Sequence, residues 1–310
     1  MGRYRGYSDA LKARYGEKVY KVPVALPVTC PNRDGTLGSG GCIFCGSIGA
    51  DYETRAVGLS ITAQLERSIA HIGPKYKAKK FIAYFQNFTN TYAPPDRFRA
   101  WMEEAARHPD VVELDVSTRP DCIHEVYLEI LKEVSDRYGV GITVELGLQS
   151  SNPHTLKLLG RGHTAAEFID GALRIGRYGF GLCAHVIADL PWDDRTVLPV
   201  TQVKLHSLYI VKGTELARMY EAGELTLLPM TEYIERVLLF LSYLRKDIII
   251  QRIVGRASGP YTITVNGGDP WWEVKKRIDE AMILRDISQG DRCDYMDGKA
   301  VRRWTGGDTH

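Results

Sequence analysis

The sequence contains no long apolar run, and this absence excludes one large class of protein. No stretch reaches the roughly 18 to 20 apolar residues that a membrane-spanning helix needs. Residues 1–20 carry charged side chains where a secretory signal peptide would be apolar. We therefore expect a cytoplasmic protein with no membrane partner.

An excess of charge of one sign is also missing. Forty Lys and Arg residues face 38 Asp and Glu residues, which leaves a formal net charge of +2. This balance excludes a polycation that would bind nucleic acid through its bulk charge. Residues 1–21 nevertheless carry six basic and two acidic side chains. We predict that they form a basic N-terminal arm, which could contact phosphates or be a solvated terminal segment.

Cysteine is scarce, since only six occur among 310 residues. A chain of this length can build a large core without disulfides, and the cytoplasm is reducing. The cysteines therefore do not indicate a disulfide framework. Their spacing is uneven, however, because Cys30, Cys42 and Cys45 fall within sixteen residues while the other three are scattered singly.

Apolar strands alternate with helical segments along most of the chain and predict an α/β fold. The predicted strands cover residues 21–29, 80–86, 111–117, 142–149, 181–190 and 202–211. Apolar residues at helical spacing fill most of the intervals between them. Six strands separated by helices predict a parallel sheet with right-handed crossovers. The remaining tail predicts a further strand and two helices, at 247–254, 231–245 and 271–287.

One connection is too short for this pattern. About a dozen residues, 191–201, join the fifth and sixth predicted strands, and Pro199 lies among them. A parallel crossover with a helix and two loops needs more residues than this. We predict that this connection has lost its helix, unless residues are missing from the sequence at this point.

The three clustered cysteines lie on a glycine-rich loop that follows the first strand. The carboxyl ends of strands are the edge where parallel α/β folds bind ligands. Three thiolates fit a four-iron, four-sulfur cluster in which one iron keeps an open site. A structural zinc ion takes four ligands, and no histidine precedes His71. The pattern favours an iron–sulfur cluster over zinc and over unliganded loop cysteines.

Seven sequence blocks, the cysteine loop among them, occur in a fixed order and carry a resemblance. They are CPNRDGTLGSGGCIFC, FIAYFQNFTNTYAP, STRPDC, VELGLQS, RGHT, CAHVIADLP and VKLHSLYIVKGTELARMYEAGEL. Nearly the whole chain thereby resembles radical S-adenosylmethionine enzymes of the YhcC/YtqA (MnmL) group, which is related to the catalytic subunit of Elongator. The resemblance implies a partial (βα)6 barrel over residues 22–213 with a cluster loop at 30–45. An α/β extension over 214–310 would pack on this barrel, and residues 1–21 would be the arm.

The resemblance also implies two cofactors, a [4Fe-4S] cluster and S-adenosylmethionine. Cys30, Cys42 and Cys45 would hold the cluster, and the aromatic Phe44 would contact the cofactor. The reduced cluster would cleave S-adenosylmethionine to a 5′-deoxyadenosyl radical. A second cluster is not expected, because the other three cysteines lack paired spacing.

Polar residues at the second and third strand ends are candidates for binding S-adenosylmethionine. Gln86, Asn87 and Thr89 occupy the place where related enzymes bind the cofactor's amine, although asparagine also forms turns. At the end of the third strand, Ser117 and Arg119 are expected to face the same end of the barrel. Arg119 would bind a carboxylate or a substrate anion, and its alternative role is a salt bridge with Asp121.

The fourth strand places a carboxylate on a face that should look into the barrel. Alternation along the strand puts Glu145 and Gln149 on the same side. The resemblance implies that this strand reaches the cofactor's ribose and methionyl part, and the alternative is a buried structural network. Arg161 is a further cofactor candidate, with an N-cap turn before Thr164 as the alternative. Ile187 is the one residue assigned to the adenine, because the turn Leu-Pro-Trp-Asp-Asp that follows departs from the family's pattern.

Two side chains on the sixth strand can carry a positive charge and lie on the same face. Lys204 and His206 alternate onto one face and are our candidates for catalysis, holding an anionic substrate group. His185 on its own is more typical of a core histidine.

The resemblance implies a tRNA substrate. The expected reaction converts a wobble 5-carboxymethylaminomethyluridine, or its 2-thio form, into 5-aminomethyluridine, with a reductant such as flavodoxin or ferredoxin as partner. Two alternatives remain: a radical enzyme that acts on a small molecule or a protein, and a non-catalytic iron–sulfur or zinc-binding module.

Overall fold

The computed structural model describes residues 3–46, 58–193, 202–256 and 261–293. The strands in these ranges are β1 (Val19–Val24), β2 (Lys80–Phe85), β3 (Val111–Thr118), β4 (Gly141–Gln149), β5 (Gly181–Ile187), β6 (Gln202–His206), β7 (Tyr209–Val211), β8 (Ile249–Arg252) and β9 (Thr262–Val265). The helices are α1 (Tyr7–Tyr15), α2 (Ile61–Tyr76), α3 (Pro95–Ala106), α4 (Glu125–Tyr138), α5 (Pro153–Leu158), α6 (Ala165–Arg177), α7 (Glu215–Glu221), α8 (Met230–Tyr243) and α9 (Trp271–Leu284).

A seven-stranded parallel sheet forms the centre of the molecule, in the order β1-β2-β3-β4-β5-β6-β8. Although β1 and β8 are its two edges, Lys21 Nζ on β1 lies 3.0 Å from Gln251 Oε1 on β8. The two edges can approach in this way only if the sheet curls into a partial barrel. The predicted α/β partial barrel of the radical S-adenosylmethionine type is confirmed.

The two faces of the strands differ sharply in chemistry. On β4, Val144 and Leu146 are fully buried in the main apolar core with the surrounding helices. The residue between them, Glu145, is equally buried but contacts Lys21 across the barrel. Alternation along each strand therefore places apolar side chains under the helices and polar ones inside the barrel.

The region after Gly213 contributes directly to this barrel. Strand β8 pairs with β6 as the seventh strand of the sheet, and helices α8 and α9 bury side chains in the same core. The predicted sixth strand, 202–211, divides into β6 and β7, and β7 pairs with β9 in a separate antiparallel ribbon. The short connection discussed above falls largely on residues 194–201, which lie outside the described residues.

The predicted basic arm contains a helix and the start of β1. Helix α1 contacts both β1 and β8, and the Arg5 carbonyl accepts a hydrogen bond from Ile250 N at 2.9 Å. Two of the basic side chains pair with buried carboxylates, since Arg14 contacts Glu113 and Lys21 contacts Asp115. This segment therefore closes the barrel between its two edge strands. No described helix is both long enough and apolar enough to cross a membrane.

Candidate functional site

The three clustered cysteines lie together at the carboxyl edge of the sheet. Tight turns bend their loop: Cys45 N donates to the Cys42 carbonyl at 2.8 Å, and Arg33 N donates to the Cys30 carbonyl at 2.8 Å. Gly41 has φ of +91°, in the left-handed region, so a side chain would strain this turn. The loop is anchored to the barrel because Ile43 N donates to the Leu159 carbonyl at 3.1 Å.

A cavity of about 160 Å³ separates this loop from the strand ends. All three cysteines line it, and all three are free thiols. Most residues predicted for the site line it as well: Phe44, Gln86, Thr89, Ser117, Arg119, Glu145, Gln149, Arg161, Ile187 and His206. Residues from seven separate segments thus converge on one cavity.

Donor groups surround the cysteine sulfurs. Arg161 Nη1 lies 3.3 Å from Cys42 Sγ, and Asn32 Nδ2 lies 3.4 Å from the same sulfur. Arg33 Nη1 lies 3.5 Å from Cys45 Sγ. Hydrogen-bond donors of this kind stabilise sulfurs that carry negative charge, as the ligands of an iron–sulfur cluster do.

The spacing of the sulfurs distinguishes between a cluster and a single zinc ion. Within the ranges that the structure describes, the triad of ligand atoms that lies within 4.8 Å is Glu145, Cys183 and His185, not the loop cysteines. Zn–S bonds of about 2.3 Å would bring three zinc-bound sulfurs within roughly 4 Å of one another. The three loop thiols do not all lie within 4.8 Å of one another, so they are not gathered around a single zinc ion.

Two buried polar atoms in the cavity have no partner and fit the second cofactor. Arg119 donates to both carboxylate oxygens of Asp121, at 2.9 and 2.8 Å, and to the Arg161 carbonyl at 2.7 Å. The alternative salt bridge therefore exists, yet Arg119 Nη1 stays without a partner. Thr89 Oγ1 is the second such atom. A cation and a hydroxyl match the carboxylate and amine of an amino acid group such as methionyl.

Asn87 does not belong to this cavity, so its predicted role in binding the cofactor is corrected. Its Oδ1 accepts a hydrogen bond from Leu26 N at 3.2 Å, and its Nδ2 donates to the Leu26 carbonyl at 3.0 Å. Both ends of the amide are thus used to fasten the chain after β1 to the chain after β2. The neighbouring Gln86 does line the cavity.

Arg161 is held by three contacts that aim it at the cysteine loop. Besides Cys42, it donates from Nη2 to the Gly147 carbonyl at 2.7 Å and from Nε to His163 Nε2 at 3.0 Å. Burial and the Arg161 charge lower the pKa of His163 to about 4, so its ring is neutral and can accept this bond. The N-cap turn that is the alternative is present as well, because Thr164 caps α6 with a capping box, and Arg161 contacts the cysteine loop in addition.

Glu145 lines the cavity but is saturated by protein groups. Its Oε1 lies 2.5 Å from Lys21 Nζ, and its Oε2 lies 2.6 Å from His185 Nε2 and 3.3 Å from Lys204 Nζ. Burial alone would raise the pKa of Glu145, but the cations Lys204 and Lys21 hold it well below its usual range. The buried network offered as the alternative role of Glu145 is therefore present.

Lys204 and His206, the predicted catalytic pair, line different cavities. Lys204 lies outside the cluster cavity, where its Nζ donates to Tyr84 OH at 2.6 Å. Burial lowers the pKa of Lys204 to about 8, although Glu145 opposes this. His206 does line the cavity, and burial together with Arg252 lowers its pKa well below the usual range. The ring of His206 is therefore neutral and is not an anion-binding cation.

Sequence reasoning missed three residues of this region, Asn32, Arg33 and Arg252. The first two lie between the cluster cysteines, so their proximity to sulfur was open to prediction. Arg252 comes from β8, more than 200 residues further along the chain, and contacts His206 through Nη2 at 2.9 and 3.0 Å from the ring nitrogens. No local pattern signals this contact.

Comparison with known proteins decides the family. YtqA of Bacillus subtilis (strain 168) is 34% identical to this chain over 303 residues, which cover 93% of this chain and 92% of YtqA. The Radical_SAM C-terminal domain family matches residues 200–283. The chain belongs to the YhcC/YtqA group of radical S-adenosylmethionine enzymes. YhcC of Escherichia coli (strain K12) is 34% identical over 264 residues, covering 82% of this chain and 84% of YhcC.

More distant relatives extend the comparison. The structure of archaeal Methanocaldococcus infernus Elp3 with an N-terminal deletion has a TM-score of 0.62 at 17% identity, covering 93% of this chain and 68% of that one, and shares its fold. A tRNA uridine(34) acetyltransferase of Methanocaldococcus infernus is 28% identical over 208 residues. That match covers 62% of this chain but only 36% of the acetyltransferase. Membership of the radical S-adenosylmethionine family implies a [4Fe-4S] cluster and S-adenosylmethionine as cofactors.

A buried carboxylate beside the site gives a pH-dependent prediction. Asp189 follows β5 and accepts a hydrogen bond from Leu208 N at 2.6 Å. Burial raises the pKa of Asp189 from 3.8 to about 7, although the Leu208 amide opposes the shift. The folded state therefore binds the proton more tightly than the unfolded state. The resulting stabilisation is complete below pH 4 and is lost as the pH rises to 7.

The variant Asp189→Asn cannot titrate and should not show this loss. Its free energy of unfolding relative to the parent is expected to rise by a few kcal/mol between pH 4 and pH 7 and then to stay constant, since one pKa unit corresponds to about 1.4 kcal/mol. Urea unfolding at a series of pH values measures the difference. Parallel curves for the two proteins would contradict the shifted pKa.

Proposed function

We propose that the chain is a radical S-adenosylmethionine enzyme that modifies the wobble uridine of tRNA. The substrate is 5-carboxymethylaminomethyluridine or its 2-thio form, and the product is 5-aminomethyluridine. The observation that carries the proposal is one cavity that is lined by three free thiols and by Arg119 and Thr89, each of which has a buried polar atom without a hydrogen-bond partner. A reductant of the flavodoxin or ferredoxin class and a tRNA are the partners that this reaction needs.

Each part of the cavity has a role in this proposal. Cys30, Cys42 and Cys45 hold the cluster, and Arg119 and Thr89 bind the carboxylate and the amine of the methionyl group. The bound cofactors would supply a 5′-deoxyadenosyl radical, which would take a hydrogen atom from the carboxymethyl carbon next to the amine of the substrate's side chain. Loss of one electron to the electron-transfer partner and of one proton would leave an imine, and water would hydrolyse its C–N bond to give the aminomethyl group and glyoxylate. Cys42, Arg119 and Arg161, which line this cavity, are buried.

The choice of tRNA rests on family relations. The chain shares 28% identity over 208 residues with a protein named for chemistry on tRNA uridine(34). The acetyl-transfer activity in that name is not carried over, since the match covers only a third of that protein. The substrate that we propose carries a carboxylate that the product lacks. A cation near the cavity would allow the enzyme to distinguish the two.

The test is nucleoside mass spectrometry of tRNA that contains the carboxymethylaminomethyl group. Anaerobic protein with reconstituted cluster, S-adenosylmethionine and dithionite should convert this nucleoside to 5-aminomethyluridine. Cys42→Ala should give no conversion, whereas Cys293→Ala, at a cysteine outside the cavity, should act like the parent. An unchanged carboxymethylaminomethyluridine pool alongside formation of 5′-deoxyadenosine would disprove the substrate and point to a small molecule or a protein instead.

A further inference from the structure

A second, larger cavity of about 460 Å³ opens between the edge strands of the sheet, next to the cluster cavity. Helices α1 and α9 form its outer walls. Among the described residues that line it there is no Asp or Glu, but there are six cations: Lys18, Lys21, Lys204, Arg252, Arg256 and Lys275. This side cavity therefore favours an anionic ligand.

Arg252 differs from three other cations of the side cavity. Lys21 and Lys204 both contact the carboxylate of Glu145, and Lys275 pairs with Asp279. In the part of the chain that the structure describes, no carboxylate forms an ion pair with Arg252, and its contact is the neutral ring of His206. Its Nε is buried and has no hydrogen-bond partner.

The guanidinium group of Arg252 is partly buried, and its Nε donor has no hydrogen-bond partner among the described residues. Buried charges are normally paired, and an unsatisfied donor costs free energy. The planar fork of arginine matches a carboxylate, which can accept from Nε and a terminal nitrogen at once. The spare Nε therefore leaves Arg252 suited to bind an oxyanion.

Its position lies at the boundary between the two cavities. Arg252 lines the side cavity, whereas the ring that it contacts, His206, lines the cluster cavity. Gln86 lines both cavities. A group bound to Arg252 would therefore sit beside the space assigned to S-adenosylmethionine.

We propose that Arg252 binds the carboxylate of the substrate's carboxymethylaminomethyl group. This inference rests on the proposed function and replaces Lys204 and His206 as the residues that recognise the substrate's anionic group. Because the product has no carboxylate, the contact also makes the enzyme favour substrate over product. Arg252 is then a specificity-determining residue that no sequence pattern indicates.

The test compares two anticodon stem-loop RNAs that differ only at the wobble uridine. One carries the carboxymethylaminomethyl group and the other carries the aminomethyl group. The parent protein should bind the first RNA about 10- to 100-fold more tightly, the ratio typical of a charged hydrogen-bonded contact. Arg252→Gln should bind both RNAs with the affinity that the parent shows for the aminomethyl RNA, and Arg252→Lys should recover part of the preference.

A matched control and three contrary outcomes complete the design. Arg285→Gln removes an exposed arginine that pairs with Glu235, and it should keep the full preference. If Arg252→Gln weakens the binding of both RNAs by the same factor, the arginine contacts a backbone phosphate and the proposal is wrong. If the parent discriminates and Arg252→Gln discriminates equally well, only the role of Arg252 falls. If the parent itself shows no preference, no residue recognises the carboxylate and this proposal is wrong, whereas the proposed function is decided separately by conversion of the tRNA nucleoside.

Discussion

Alanine at Cys30, Cys42 or Cys45 is expected to abolish both cluster loading and the cleavage of S-adenosylmethionine. The parent protein, reconstituted without oxygen, should bind about four iron atoms per chain. Each variant loses one of three thiolates, and two thiolates no longer hold a cubane cluster. The effect is measured as the iron content, as the absorbance of the cluster and as the amount of 5′-deoxyadenosine that forms after addition of dithionite. We expect the last to fall at least a thousandfold, because no other route to the radical exists.

The scattered cysteines provide the control for this experiment. Cys293→Ala changes a free thiol that does not line the cavity, and it should retain full iron and full activity. Iron-free protein that instead binds one zinc ion per chain would support the zinc-binding module. Parent protein that binds four irons but forms no 5′-deoxyadenosine would support a non-catalytic cluster protein.

The strands of the barrel could be predicted because each is a local feature. Apolar runs between helices located β2, β3 and β4 to within a residue or so, since strands buried on both sides need near-continuous apolar sequence. Alternation along β4 then placed Glu145 inside the barrel, where the structure has it. The loop cysteines could be predicted for the same reason, because their spacing is contained within one short segment.

The features that could not be predicted depend on distant parts of the chain. The segment around β8 was recognised as a strand, but nothing in its sequence says that it joins the main sheet beside β6. The contact between Arg252 and His206 follows only from that placement. Asn87 illustrates the opposite error, because a buried amide can bind a cofactor or fasten two backbone segments. Only the position of Leu26 decides between the two.

The polar interior explains why so many charged groups can be buried beneath the cluster cavity. Lys21 contacts Asp115 and Glu145, while Lys204 and His185 contact Glu145 from the other side. Burial lowers the pKa of His185 to about 4, so its ring is neutral, and Lys21 and Lys204 face the carboxyl groups of Asp115 and Glu145. Burial raises the pKa of Asp115 well above its usual range, and the neighbouring Lys21 opposes this shift. The network is neutral overall only while all four charges are present.

Replacing Glu145 with Gln should therefore destabilise the fold more than any exposed substitution. The amide keeps the size of the side chain but leaves Lys21 and Lys204 with Asp115 as their one remaining counter-charge. Breaking a buried ion pair by removing one partner costs about 3–5 kcal/mol. Glu133→Gln, which removes an exposed partner of Arg99, should cost less than about 1 kcal/mol. Urea unfolding of the three proteins at pH 7 gives the comparison.

The double variant Glu145→Gln, Lys204→Met distinguishes charge imbalance from a loss of shape. Methionine removes the second cation, so Lys21 and Asp115 again form a neutral pair. Because replacing both partners of a buried pair is often close to neutral, the double variant should regain most of the stability that Glu145→Gln loses. If the effects of the two substitutions on the free energy of unfolding simply add, Glu145 stabilises the barrel through the fit of its side chain and not through its charge. If the free energy of unfolding of Glu145→Gln lies within about 1 kcal/mol of the parent's, water reaches this interior and screens the charges.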